Sequence, residues 1–227
     1  MIDIHSHILP LVDDGSPDIE KSIEMLKVEE AEGVTDIVLT PHLRREYNAT
    51  LDELKSAFDS LVKEKEKNKI KVNLYLGQEV FYFHKSYNCV GKNIMTINNG
   101  KYILLEFHYT SYCDISEVAF EFIQKGYIPI IAHAERYRYL RLEDVEEIKD
   151  MGGLISVNAE SIVASSGRIK KFVKICLKNN FIDVVTSDMH YGKKICLEKA
   201  RKFIKKKYGE KRAQALFEIN PKKVIEG

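Results

Sequence analysis

Ile2-Asp3-Ile4-His5-Ser6-His7 opens the chain as a short apolar run that ends in two histidines one residue apart. The run is below helix length, and side chains alternate along an extended segment. His5 and His7 therefore project to the same side and can share one metal ion. The same design recurs along the chain. Apolar, β-branched runs stand at residues 2–4, 36–40, 72–76, 102–105, 128–132, 154–157 and 183–186, each too short for a helix. Six of these seven finish on a residue able to hold a metal. After the first comes Asp14, just before Gly15; the others give Thr40-Pro41-His42, Gly77-Gln78-Glu79, Leu105-Glu106, Ala132-His133 and Ser187-Asp188-Met189-His190.

Between the runs lie stretches with helical apolar spacing. In the first, Ser16 is placed to cap, Pro17 suits the first turn, Ile19, Ile23 and Leu26 share a face, and Gly33 marks the exit. Comparable helices are predicted over 51–66, 115–125, 142–151, 168–179 and 195–208. Alternating strand and helix, with strands apolar on both faces, predicts parallel pairing and right-handed crossovers. A doubly wound open sheet would satisfy that pattern as well. Polar residues at the ends of many different strands favour a barrel, whose chemistry gathers around one mouth. The expectation is an α/β fold: a distorted (β/α) barrel of about seven parallel strands, forming one domain over residues 1–227.

Composition supports an ordinary globular chain: 227 residues, 44% hydrophobic, 12 Gly and 5 Pro. The 35 basic and 34 acidic residues leave a formal charge of +1, so no global field draws nucleic acid or anionic lipid. The charge run at 63–71 reads as a solvated helix end. The chain shows no secretory signal pattern and no apolar run near the roughly 20 residues needed to span a bilayer. Cys89, Cys113, Cys176 and Cys196 are scattered without a C-x-x-C pair, as expected of reduced thiols in the cytoplasm. Cys196 to Arg201 is one residue too short for the C-x5-R loop of thiol-dependent phosphatases, so cysteine catalysis is not expected.

The nine residues His5, His7, Asp14, His42, Glu79, Glu106, His133, Asp188 and His190 offer nitrogen and oxygen donors and no thiolate. Such a set suits Mn, Fe or Zn and exceeds what one ion requires. Two or three neighbouring ions, bridged by Glu79 or Glu106, would use it better and fit phosphoryl-transfer chemistry. Arg136, three residues after His133, can reach the same mouth and grip two phosphate oxygens as a planar fork. Its alternative is an ion pair with Glu135. Arg44 divides evenly between phosphate contact and solvent, as does Arg45. Phe81, Tyr82, Phe83 and Tyr87 read equally as a lid for a phenyl ring or as core packing. Tyr109, Tyr112, Tyr137 and Tyr139 border the pocket or pack between helices, and His84 and His108 are given no catalytic role.

Taken together, Asp3-Ile4-His5-Ser6-His7-Ile8-Leu9-Pro10, Val12-Asp13-Asp14-Gly15, Thr40-Pro41-His42, Gly77-Gln78-Glu79, Leu105-Glu106, Ala132-His133-Ala134-Glu135-Arg136-Tyr137 and Thr186-Ser187-Asp188-Met189-His190 resemble the bacterial CpsB/CapC protein-tyrosine phosphatases. These belong to the polymerase-and-histidinol-phosphatase (PHP) type, and the resemblance covers nearly the whole chain. It implies a manganese-type cluster held by the nine residues, with Arg136, and Arg44 beside it, on the substrate phosphate. It also implies a phosphotyrosine protein as substrate, namely a cognate bacterial tyrosine kinase controlling capsular or exopolysaccharide synthesis. Asp188 and His190 are the expected catalytic residues beside Arg136. Leu11 departs from the family, which usually has glycine there, and Arg44-Arg45 replace a more polar loop. Other expectations are a small-molecule phosphatase, such as one for histidinol phosphate, and a non-catalytic metal-binding partner of a kinase. A nuclease is disfavoured because no basic stripe accompanies the site. Only the 81–87 and 109–114 regions look long enough to overhang the mouth, which should therefore be open and admit a tyrosyl phosphate on a flexible tail.

Overall fold

A computed structural model describes residues 1–227. Its first half runs β1 (Ile2–Ser6), α1 (Ile19–Ala31), β2 (Asp36–Leu39), β3 (His42–Leu43), α2 (Leu51–Lys67), β4 (Asn73–Leu76), β5 (Glu79–Phe81) and β6 (Tyr102–Glu106). The second half runs α3 (Ile115–Gln124), β7 (Ile128–Ile131), α4 (Leu142–Asp150), β8 (Leu154–Asn158), α5 (Ala159–Val163), α6 (Gly167–Lys178), β9 (Val184–Thr186), α7 (Leu197–Tyr208), α8 (Glu210–Gln214) and α9 (Asn220–Glu226). No helix is long and apolar enough to cross a membrane.

All strand pairings are parallel, as the alternation predicted. The strand count differs from the expected seven. Nine segments form a three-stranded sheet in the order β1-β2-β4 and a curled six-stranded sheet in the order β3-β5-β6-β7-β8-β9. The extra segments arise where Thr40-Pro41 separates β2 from β3 and Gly77-Gln78 separates β4 from β5. Pro41 has no N–H to give to a ladder, and Gly77 lies against Ile97, where a Cβ would come within 3.3 Å. Backbone bonds from His7 N to Met189 O (2.8 Å) and from Asp188 N to His5 O (3.0 Å) tie β1 to the chain leaving β9.

Strand alternation divides the core in two. Ile4, Val38, Leu104, Ile130 and Val184 point inward and meet Val224 and Ile225 of α9, which plug that interior. Ile37, Leu39, Ile103, Leu105, Ile131 and Val185 face outward into the larger core beneath the helices. Neither α5 nor the C-terminal pair α8 and α9 is expected from the sequence pattern. α5 spans five residues, too short to show a helical period, whereas α8 and α9 are joined by a π-helical segment at Ala215–Ile219 into one helical run.

Helix boundaries follow local chemistry. Thr50 and Glu53 form a reciprocal capping box at the start of α2. At α1 the cap is Asp18, whose side chain accepts from Lys21 N, instead of the expected Ser16. Ser16 is buried and hydrogen-bonded to Asp18 O and Ser22 Oγ, so its hydroxyl is engaged beneath the turn. Gly33, at φ +85°, ends α1 as anticipated. Leu11 also has a left-handed backbone, φ 63°, which explains why glycine suits that position.

Candidate metal centre

Strand ends carry the site. His5 and His7 leave β1, where the β1–β2 register shifts between Asp3 and Ser6, a bulge that re-aims the side chains. Their Nε2 atoms converge to 3.2 Å. Glu79 begins β5 and lies at the centre: its carboxylate oxygens come within 3.2 Å of His5 Nε2, 3.3 Å of His7 Nε2, 2.9 Å of His42 Nδ1 and 2.9 Å of His133 Nε2. Glu106 ends β6 and approaches His42 at 3.5 Å. Asp188 stands 3.7 Å from both His5 and His7. Asp14 faces His42 and His190, each at 3.6 Å.

All nine expected residues are thus brought together, in four overlapping groups of donor atoms: His5, Glu79 and His133; His5, His7 and Asp188; His42, Glu79 and Glu106; and His7, Asp14, His42 and His190. The first three groups are fully buried, and the last opens to solvent through Asp14 and His190. Two ligand-type residues sit on strained backbone, His133 at φ 31° and Asp188 at φ 51°, as is common where function over-determines a conformation.

Electrostatics and unmet polarity fit a cationic occupant. His42 Nδ1, Glu79 Oε2 and Glu106 Oε2 are buried without a hydrogen bond, although they lie close together. Orphaned donors and acceptors of this kind are costly unless something with several ligand sites joins them, as a divalent ion does. Burial pushes the Glu79 carboxyl up, but His5, His133 and His42 outweigh it and hold the group well below the usual range. For Asp188, burial is likewise outweighed, by His5, His133, Lys193 and Arg136. Burial and then Glu79 raise Glu106. Burial and the neighbouring His7 pull His190 down to about 4.

Several residues that sequence reading passed over serve the site. Asp13 is the foremost: its side chain is fully buried and accepts from His7 Nδ1 at 2.7 Å, His42 N at 3.0 Å and Gly15 N at 2.9 Å. It fixes which nitrogen of His7 faces the cluster. Gly15 is required here, since a Cβ would meet His7 O at 2.0 Å. Asn158, at the end of β8, donates to Asp188 Oδ2 at 2.8 Å, so the one strand without a ligand-type end still reaches the site. Lys193 donates to Asp188 O at 2.8 Å. The adjacent carboxylates of Asp13-Asp14 were a visible signal, but which of them turns inward is set by the tight turn at Gly15.

Arg136 pairs with Asp188 Oδ2 at 2.9 Å and lies 3.5 Å from the Tyr109 hydroxyl. The alternative pairing with Glu135 does not form, because Glu135 accepts from Asn158 N and Ser161 Oγ. Arg136, Arg138, Arg168 and Tyr109 line a cavity of about 410 Å³ at the edge of the site. Arg44 binds Asp14 Oδ2 at 3.1 Å and lies over the Tyr47 ring, so its charge is directed at the exposed group of the cluster. In the aromatic segment, Tyr82 and Tyr87 pack against the core, while Phe83 is exposed. Tyr109 Oη donates to Glu106 at 2.9 Å, and the buried Tyr137 accepts from Phe107 N. Tyr139 bonds His108 O, and Tyr112 is exposed. His108 accepts from Thr110 N and Ser111 N, a loop-shaping role in keeping with its exclusion from catalysis.

Comparison with known proteins gives consistent matches. The family model described as "Capsular polysaccharide synthesis, CpsB/CapC" matches residues 1–226. The tyrosine-protein phosphatase CpsB of Streptococcus agalactiae is 34% identical over an alignment of 238 positions, covering 99% of this chain and 98% of the relative. The tyrosine-protein phosphatase YwqE of Bacillus subtilis is 34% identical, covering 84% of this chain and 77% of its own length. A crystal structure from work on YwqE of Bacillus subtilis and CpsB of Streptococcus pneumoniae, described as metal-dependent tyrosine phosphatases, superposes with a TM-score of 0.92. It is 29% identical, covering 100% of this chain and 94% of that one. A histidinol phosphate phosphatase from Lactococcus lactis, 14% identical with a TM-score of 0.60, shares the fold.

Proposed function

Because the chain belongs to the CpsB/CapC family, we propose that it is a metal-dependent phosphotyrosine-protein phosphatase that hydrolyses the phosphate monoester at the strand-end site. The observation that carries this reading is the convergence of nine nitrogen and oxygen ligand residues, with Arg136 at their edge. His5, His7, Asp14, His42, Glu79, Glu106, His133, Asp188 and His190 would hold two or three divalent ions. Manganese is the native choice in this reading, with iron or zinc as substitutes; the all-N/O donor set and the sharing of His5, His7, His42 and Glu79 between groups support it. Bound there, the ions would supply Lewis acidity toward the phosphate oxygens and lower the pKa of water.

The chain's own residues do the rest. Arg136 exchanges its contact with Asp188 for two phosphate oxygens and so fixes the ester in line with the cluster. Arg44, above Asp14, adds positive charge on the opposite rim. Tyr109, bonded to Glu106 and close to Arg136, borders the phenyl ring. Asp188 and His190 are the catalytic residues beside Arg136 in this reading, and the leaving oxygen makes little demand for an acid because phenol has a pKa of about 10. The cavity beside Arg136 is open, which supports a substrate carried on a protein.

The two sheets read as one distorted barrel of seven strand positions, β2 with β3 and β4 with β5 each being one interrupted strand. The bonds joining β1 to the segment after β9 support this closure. The family match over residues 1–226 supports one domain. A cognate bacterial tyrosine kinase of capsular or exopolysaccharide synthesis is the substrate in this reading, supported by the family description. A cytoplasmic location is supported by the four unpaired cysteines.

The test is hydrolysis by metal-stripped and Mn-reloaded protein of a phosphotyrosyl peptide, its phosphoseryl counterpart and histidinol phosphate. The expected result is metal-dependent activity with the highest kcat/KM for phosphotyrosine, because phenolate is a far better leaving group than an alkoxide. A preference for histidinol phosphate would overturn the protein-phosphatase assignment, and metal-independent activity would overturn the role of the cluster.

A further inference from the structure

A cavity of about 1000 Å³ lies not over the nine clustered residues but beside them. It is a groove between the loop after β1, the first turns of α1 and α2, and the loop after β3. Leu11, Ile19 and Ala57 provide apolar lining. Five acidic residues, Asp13, Asp18, Glu20, Glu46 and Glu53, also line it, the carboxylate of Asp13 being buried beneath the wall, and no lysine, arginine or histidine does. Three of the five are occupied: Asp13 holds His7, Asp18 caps α1, and Glu53 closes the capping box of α2. Glu20 and Glu46 are exposed and form no ion pair, so their charge is free to meet a ligand.

The groove is continuous with the catalytic rim. Asp13 borders both. Tyr47, another wall residue, stacks with the His42 ring at 6.2 Å between centroids. Leu11 stands at the lip with 77% of its surface exposed, an apolar side chain held on a left-handed backbone. That conformation disfavours any residue but glycine, and a large exposed apolar group there gains nothing from the fold itself.

We propose that this groove receives the polypeptide flanking the phosphotyrosine, and that it favours chains carrying lysine or arginine together with an apolar side chain. The inference rests on the phosphatase reading above. An extended chain advances about 3.4 Å per residue, so roughly the first few residues beyond the phosphotyrosine enter the groove as they leave the site. Basic side chains then meet Glu20 and Glu46, and an apolar one meets Leu11. The phosphate is meanwhile held by positive charge, so the surface sorts substrates by charge on two sides.

The experiment compares two phosphotyrosyl peptides, identical except for lysine or glutamate at the flanking positions, with p-nitrophenyl phosphate, which has no flanking chain. The Mn-loaded parent should prefer the lysine peptide by about tenfold in kcat/KM at low salt, with the preference shrinking as ionic strength rises. Glu20→Lys and Glu46→Lys should each reduce that ratio roughly two- to fivefold, and the double variant should abolish it, with p-nitrophenyl phosphate turnover unchanged. Leu11→Gly should lower kcat/KM for both peptides and leave the small ester alone. A peptide ratio unmoved in the double variant, with p-nitrophenyl phosphate turnover intact, overturns the groove assignment and leaves the phosphatase standing. Failure of the Mn-loaded parent to hydrolyse any aryl phosphate overturns both.

Discussion

Replacing Asp13 by asparagine tests the frame behind the ligand residues without touching any of the nine. Oδ2 accepts from His7 Nδ1 and His42 N, and Oδ1 accepts from Gly15 N. An amide has one acceptor oxygen and one donor nitrogen. Its best placement keeps the oxygen on His7 and His42 and turns the NH2 toward Gly15 N–H, losing that bond and the negative charge. The alternative placement loses the His42 bond and reverses the His7 one, forcing the other His7 tautomer and putting a proton on the nitrogen that faces Glu79 and His5. Hydrogen bonds to a buried charge contribute about 1.5–3 kcal/mol each. Independently, burial raises the Asp13 pKa, but the bond and charge of His7 outweigh it and bring it to about 2. Against an unfolded value near 3.8, that corresponds to roughly 2 kcal/mol of stability at neutral pH. Asp13→Asn should therefore melt about 4–8 °C lower in metal-free form. A depressed carboxyl contributes its stability above the unfolded pKa and loses it as pH falls through the folded one, so the two curves should converge from about pH 4 toward pH 2. Manganese affinity, measured by calorimetric titration, should weaken roughly 10- to 100-fold. A variant matching the parent in both melting temperature and metal affinity would refute the view that Asp13 orients His7.

Other outcomes follow from the same geometry. His5→Ala and Glu79→Ala should each lower metal content by elemental analysis and reduce hydrolysis to near background, with far-UV circular dichroism preserved; full metal occupancy in both would remove them from the ligand set. Burial raises Asp3 to about 6 and, together with Asp3, raises Glu29 well above its usual range. Both hold protons that the unfolded chain has released, so the pair's contribution to metal-free stability should be greatest below about pH 4 and fall as pH climbs through 6 and beyond. Glu29→Gln should flatten that decline, and a denaturation series with identical pH slopes in parent and variant would count against the pair. Burial raises the thiols of Cys113 and Cys196 and carries Cys176 to about 12, leaving little thiolate near neutral pH. Iodoacetamide should spare activity where a chelator abolishes it, and substrate-protected inactivation by iodoacetamide would contradict a metal mechanism.

Much of the architecture could be read from residue order because barrel enzymes place chemistry at strand ends. A His, Asp or Glu that closes an apolar run announces its own location, as His133 does after Ile128–Ile131 and Glu106 does at the end of β6. What could not be read depends on direction over one or two residues. Asp13 and Asp14 are adjacent and chemically equal, and only the close approach of Gly15 to His7 turns the first inward. Arg44 was balanced between phosphate and solvent because its partner, Asp14, lies 30 residues away in sequence. The strand count departs from expectation because Thr40-Pro41 and Gly77-Gln78 each divide one run into two strand segments, Pro41 having no N–H to give, although Gly77 N still donates to Leu39 O. Asn158 reads as a turn residue in the sequence, because an amide at a strand end shows its role only through its contact with Asp188.

The seam between β1 and the segment after β9 bears on how the protein comes into being. Asp3 accepts from Ser187 N and Oγ, 184 residues away, His5 O accepts from Asp188 N, and Met189 O accepts from His7 N, contacts that span most of the chain. During synthesis, at roughly 5–20 residues per second, His5 and His7 emerge first and wait many seconds for Asp188 and His190. Closing so long a loop is among the slower steps a single domain can face. A nascent or prematurely terminated chain has two histidines on a free β1 but not the seam that completes the His5, His7 and Asp188 group. The group of His5, His7 and Asp188 is thereby completed only after Asp188 has been made, whereas the groups of His5, Glu79 and His133 and of His42, Glu79 and Glu106 need nothing beyond residue 133.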